Sequence, residues 1–209
     1  MTSQNDVILS IEESKKTLLS VAAAFESASL SVALDFWERL LENSKSIILL
    51  LQKDFINEAM VIHRLSIEHF SIIVGLIKGK TTFEDLKNKT MIDIPKQARE
   101  IQMRDTKKPS LTLGNRETLK DFLIRMDSDP VPSSGVSVYN LLDSCGLDFM
   151  YTNYRAYSIR AAHSTLLSGI SVGSLDEVIK LLADAKAILD LTDAFANEFI
   201  NSSKLAETS

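Results

Sequence analysis

The sequence predicts an all-α fold, a single domain over 1–209 built as a mostly antiparallel bundle of about seven helices. Three observations carry that expectation. Only 7 glycines and 4 prolines punctuate 209 residues, so the elements between breakers are long, and long elements are helices. Apolar residues recur at three- and four-residue spacing, and no alternation of period two survives over a useful length. At 45% hydrophobic and 24% charged, the chain can bury a sizeable core and still keep an ordinary soluble surface.

The elements follow in order. Asn5-Asp6 caps a first helix that runs to about Ser27, with Val7, Ile8, Ile11, Leu18, Leu19, Ala22 and Phe25 at helical spacing. A second helix runs from about Val32 to Gln52, its inner face formed by Ala33, Trp37, Leu40, Leu41, Ile48 and Leu51. The third, from Asp54 to Leu76, is the most apolar and is the expected core helix. Whether it is separated from the second at Lys53-Asp54 or continuous with it is open. Thr81 to Asp85 supplies hydroxyls and first-turn acids for a fourth helix, in which Pro95 predicts a kink or restart. Loops are expected at 105–115 and 127–137, with a short helix from about Arg116 to Met126 between them. Tyr139 to Ser144 predicts a short helix closed by Gly146, and Leu147 to about Ala162 another. Ser174-Leu-Asp-Glu177 is a capping box opening a final helix to about Ile200, followed by a frayed polar tail.

Composition also excludes classes of function. A single cysteine, Cys145, rules out an intrachain disulfide and a cysteine-based zinc site within one chain; it is expected as a small buried residue at a helix end. The N-terminal stretch lacks the basic and apolar regions of a secretory signal, and no apolar run is free of charge for long enough to span a bilayer. A cytoplasmic location without membrane contact is the expectation. Net charge is −5, which argues against general nucleic-acid binding, although Lys78 to Lys108 is locally basic. No metal-ligand spacing, phosphate loop or nucleophile elbow occurs, so no metal or cofactor is expected.

Two constellations carry candidate chemistry. In the third helix Arg64 and Glu68 are four apart and share a face, which Asn57, Val61 and Ser71 extend. Charges in so apolar a helix are costly unless partnered, so this face is wet, or the pair has a task. Farther along, Tyr151, Tyr154/Arg155 and Ser158 share a helical face; His163 joins it only if the helix ends or bends near Ala162. If the two segments pack together, Arg64, Glu68, Tyr154, Ser158 and His163 form a ligand-binding pocket for a polar ligand or a protein partner, or a site for acid/base chemistry. The alternative is a buried network that fixes helix register. The pattern Arg64-xxx-Glu68 followed by Tyr154-xxx-Ser158-xxxx-His163 resembles an uncharacterised family of bacterial helical proteins with a domain of unknown function, over roughly Asp54 to His163. That resemblance implies a helical fold and a prokaryotic or phage-defence context, and supplies no activity.

The second constellation is Arg64-Leu-Ser-Ile-Glu-His69. Its Arg-x4-His spacing resembles the motif of HEPN-type ribonucleases, all-α proteins that pair two such motifs across a dimer. The resemblance implies a metal-independent homodimeric ribonuclease acting on RNA. Arg64 would meet the phosphate and His69 would move the proton during 2′-hydroxyl attack. This copy departs from the pattern in having Leu65 after the arginine and in lying early in the chain. The first reading requires Arg64 to face Tyr154 and Ser158 within one chain; the second requires Arg64 and His69 together on a two-fold interface.

Overall fold

A computed structural model describes residues 2–24, 26–128, 131–132, 135–162 and 173–207. In chain order the helices are α1 (Gln4–Ala24), α2 (Ala28–Leu51), α3 (Ile56–Ile77), α4 (Phe83–Lys107), α5 (Leu113–Asp127), α6 (Val138–Ser144), α7 (Phe149–Tyr157) and α8 (Leu175–Glu207). A π-helical turn, Ser158–Ala162, continues α7. No strand occurs among the described residues, and the fold is all-α. The chain forms two compact units, residues 1–82 with 137–209, and residues 83–136.

In the first unit, local capping chemistry sets the helix starts. Ser3 and Asp6 cap α1 reciprocally: the Ser3 amide donates to Asp6 at 2.7 Å and the Asp6 amide to Ser3 Oγ at 3.3 Å. The cap is thus Ser3, and Asp6 serves it from inside the first turn. Ser27, Ser137 and Ser174 accept amide hydrogens at the starts of α2, α6 and α8. Residues 52–55 separate α2 from α3, with Asp54 in the left-handed region at φ 60. Aspartate tolerates that conformation better than most residues, which lets two long apolar helices fold back on each other.

α2 and α3 therefore run antiparallel, and so do α1 and α2, tied by Trp37 Nε1 donating to buried Ser14 Oγ at 2.9 Å. α8 is different. Ser10 bonds Asp190 at 3.0 Å, and four residues on, Ser14 faces Asp193, so α1 and α8 run in the same direction. No short loop joins them, and that removes the constraint that makes sequential helices antiparallel. Trp37, Leu40, Ile47, Ile67, Phe70, Ile73, Leu181, Ile188 and Leu189 fill the core between α2, α3 and α8. α3 is long and apolar enough to cross a membrane by length and composition; in this structure most of it is buried among other helices.

The second unit is the helical pair α4 and α5. Pro95 lies inside α4, which neither ends nor restarts there. Proline deletes one backbone bond to the preceding turn, and the turns on either side retain theirs. The loop expected at 105–115 is shorter, because Asp105 ends α4 productively. It accepts the Ser110 and Leu111 amides at 2.6 and 2.7 Å and pairs with Arg116 at 2.5 Å. Thr112 then caps α5, which begins at Leu113, three residues before the expected start.

Other boundaries differ as well. α7 gives way to the π turn at Ser158 where one helix to Ala162 was expected. α8 continues to Glu207, past the expected end at Ile200. Cys145 stands at the end of α6, half-buried.

Candidate functional site

α3 projects Asn57, Val61, Arg64 and Glu68 along one side, at offsets of four, seven and eleven residues. α7 and the start of the π turn present Tyr154 and Ser158 one turn apart. The two faces meet. Arg64 Nε donates to Ser158 Oγ at 2.7 Å, and Arg64 Nη2 donates to the Tyr154 hydroxyl at 2.6 Å. The same Nη2 lies 2.9 Å from Glu68 Oε1, which also accepts the Tyr154 hydroxyl at 2.9 Å. Ser158 in turn donates to the Tyr154 carbonyl at 2.8 Å, which orients its lone pairs toward the guanidinium.

The guanidinium is held from its face too. Its central carbon sits 4.7 Å from the Tyr154 ring centroid, within cation–π range. Tyr154 stacks on Tyr151 at 5.6 Å, and Tyr151 meets Tyr139 edge-on at 5.1 Å. Burial raises the Tyr154 phenol above its usual value and the Glu68 carboxylate pushes the same way, while Arg64 opposes. Tyr154 therefore stays a neutral donor and bridges the ion pair without adding charge. The Arg64 and Glu68 side chains remain 25% and 29% exposed, so the cluster is sequestered but wet.

Of the five residues proposed for the ligand-binding pocket, the structure brings together Arg64, Glu68, Tyr154 and Ser158; His163 lies outside the described residues. Arg64 and His69 face different helices. Arg64 engages α7, while His69 leans on the Phe36 ring of α2 at 5.4 Å, its Nδ1 3.3 Å from Asn43 Nδ2. Burial lowers the His69 pKa. Within one chain the Arg64–His69 spacing therefore builds no common site.

The sequence reading missed two features beside the cluster. Arg160, on the π turn, reaches Asn57 of α3 and Glu177 of α8, each at 3.1 Å. An ideal helix would place position 160 opposite Ser158, so no helical-face argument finds it. His63 is fully buried and lies 4.9 Å from Tyr157, nearly perpendicular to it, while Tyr157 donates to Asp184 at 2.6 Å. His63 was visible in the sequence as a histidine in an apolar helix, but its partner ring was not. Among the described residues no group of three or more His, Cys, Asp or Glu side chains is arranged to hold a metal ion.

No curated protein and no solved structure matches the chain. A sequence model of a family of unknown function, DUF5677, matches residues 30–177, from the first turns of α2 to the first turn of α8 and across the whole Arg64 cluster. That match covers more than half of the chain, which therefore belongs to the DUF5677 family.

Proposed function

We propose that this protein is a helical binding protein whose Arg64–Glu68–Tyr154–Ser158 cluster recognises a small polar ligand. One observation carries the reading: a guanidinium fixed by two cross-helix hydrogen bonds, an ion pair and a tyrosine face, with a quarter of the side chain still open to solvent. A donor fork already held in place loses little side-chain entropy on meeting a ligand. Glu68 beside it adds an acceptor, so the cluster suits a ligand with both an anionic or carbonyl oxygen and a donor group.

The test is a thermal-shift and titration series with inorganic phosphate, free amino acids and mononucleotides on wild type, Arg64→Lys and Ser158→Ala. The reading expects at least one class to bind saturably and to lose about tenfold in affinity in Arg64→Lys, which keeps the charge but not the fork. Binding that is indifferent to Arg64→Lys, or no binding by any class, overturns it.

A further inference from the structure

A cavity that none of the Arg64 cluster residues lines lies between α3, α7, the π turn and α8. Its volume is about 140 Å³, close to that of a benzene-sized cavity, and its inner surface is almost wholly apolar. Met60, Ala156 and the Tyr157 ring provide that surface. The Tyr157 wall is fixed at its far end by the 2.6 Å bond from its hydroxyl to Asp184, and His63 supports it from the buried side.

The lining also carries Arg160, Lys180 and Glu177, and the acid among them is already engaged. Glu177 accepts from Arg160 with one carboxylate oxygen and from the Ser174 amide with the other, at 3.1 and 2.8 Å. The cations retain spare capacity. The Lys180 ammonium has three N–H donors and contacts Asp184 at 2.7 Å and Asn153 at 3.5 Å, with its side chain 57% exposed. Arg160 uses Nε and Nη1, while its Nη2 has no partner among the described residues. Two cations with spare donors thus flank an apolar chamber whose lining carboxylate, Glu177, already accepts a hydrogen bond on each oxygen.

We propose that this cavity is a binding site for a small carboxylate with an apolar body of about six carbons, aromatic or cyclic, the ring seated against Tyr157 and Met60 and the carboxylate received by Lys180 and Arg160. The carboxylate completes the donor set of Lys180 and Arg160. The ring displaces water from a surface that gives water few hydrogen-bonding partners. The site is distinct from the Arg64 cluster and does not depend on its function.

The experiment is an NMR-observed titration of the full chain with benzoate, cyclohexanecarboxylate, acetate and benzylamine, up to millimolar concentrations typical of fragment-sized ligands. The chain has 3 histidines, so the ring protons of His63, against the back of Tyr157, are a resolvable local reporter. Benzoate and cyclohexanecarboxylate are expected to bind about tenfold or more tighter than acetate, which lacks the ring, and benzylamine, which carries the wrong charge. Ala156→Leu, at an exposed position on the lining, should fill the chamber and abolish binding; Lys180→Gln should weaken benzoate severalfold without unfolding the protein. No saturable benzoate binding, equal binding of acetate or benzylamine, or benzoate binding unchanged in Ala156→Leu and Lys180→Gln overturns the proposal.

Discussion

The His63 and Tyr157 rings meet edge to face at 4.9 Å, and neither nitrogen of the fully buried imidazole has a hydrogen-bond partner among the described residues. Burial pushes the His63 pKa down to about 4; nearby Asp184 pulls it up and Lys180 down. The folded state therefore holds His63 neutral where an unfolded chain would protonate it. The contribution is fully present above the unfolded value of about 6.5 and is lost as pH falls toward 4, on the order of 3 kcal/mol over that window. His63→Phe keeps an aromatic edge against Tyr157 and removes the titration. Urea midpoints measured from pH 7.5 to 4 should fall less steeply in the variant than in wild type; parallel curves would show that His63 is not the titrating group.

Asp193 acts with the opposite sign. Burial raises its carboxyl to about 6, Ser14 opposes that shift, and the neighbouring acids Asp190 and Glu13 add to it. A carboxyl that holds its proton more tightly when folded stabilises below the unfolded value of about 3.8, and that stability is lost as pH rises through 6. Asp193→Asn is expected to be more stable than wild type at pH 7.5 and nearly equal to it at pH 4. A variant less stable than wild type at neutral pH would show that the charged form is the one the fold requires.

The Arg64 cluster predicts coupled energetics. Tyr154→Phe removes a hydroxyl that accepts from Arg64 and donates to Glu68, and should cost about 1–2 kcal/mol. Glu68→Gln weakens the same node from the other side. Because both changes strike one network, the double variant should lose less than the sum, by about 1 kcal/mol. Additive losses in denaturant melts would mean that Tyr154 and Glu68 act independently, and the bridging geometry would then carry no energy of its own.

In the second unit, Asp105 is the single acceptor for two loop amides and Arg116. The Arg116 hydrogen bond, followed by those from the Ser110 and Leu111 amides, holds its carboxyl well below the usual carboxylate range. That contribution is present above the ordinary aspartate value and is lost as pH falls below it. Asp105→Ala is expected to speed hydrogen exchange at the Ser110 and Leu111 amides, with α2 and α3 unchanged. Unchanged protection at both amides would remove Asp105 from the role of loop organiser.

Much of this architecture could be read from the chain because it is written locally. The capping box at Ser174, the apolar stripe of α3 and the four-residue spacing of Arg64 and Glu68 are near-neighbour properties, and each corresponds to a feature of the structure. The meeting of Arg64 with Tyr154 and Ser158 was reachable for the same reason, since each partner set already shared a helical face. What escaped depends on long-range geometry. Arg160 reaches α3 only because a π turn replaces the end of α7, and nothing in its neighbours signals that change. α4 passes through Pro95, and Asp105 shortens the following loop through side-chain bonds to residues five, six and eleven positions ahead. The shared direction of α1 and α8 is likewise invisible to periodicity, which reports faces and not orientation.

That shared direction bears on the order of assembly. α2 and α3 are separated by four residues and can dock as soon as both exist, whereas the Ser10–Asp190 bond closes a loop of 180 residues. Loop closure over such a span delays contacts that local pairing does not. We therefore expect the α2–α3 pair to be structured in the folding transition state and the α1–α8 seam to form after it. Kinetic comparison of Ile67→Val with Ser10→Ala would test this: the first should slow folding, the second should chiefly speed unfolding, and the reverse pattern would exclude it. Until the seam closes, α1 lacks its α8 neighbour, which makes the late-closing first helix the part of this protein most dependent on an intact α8.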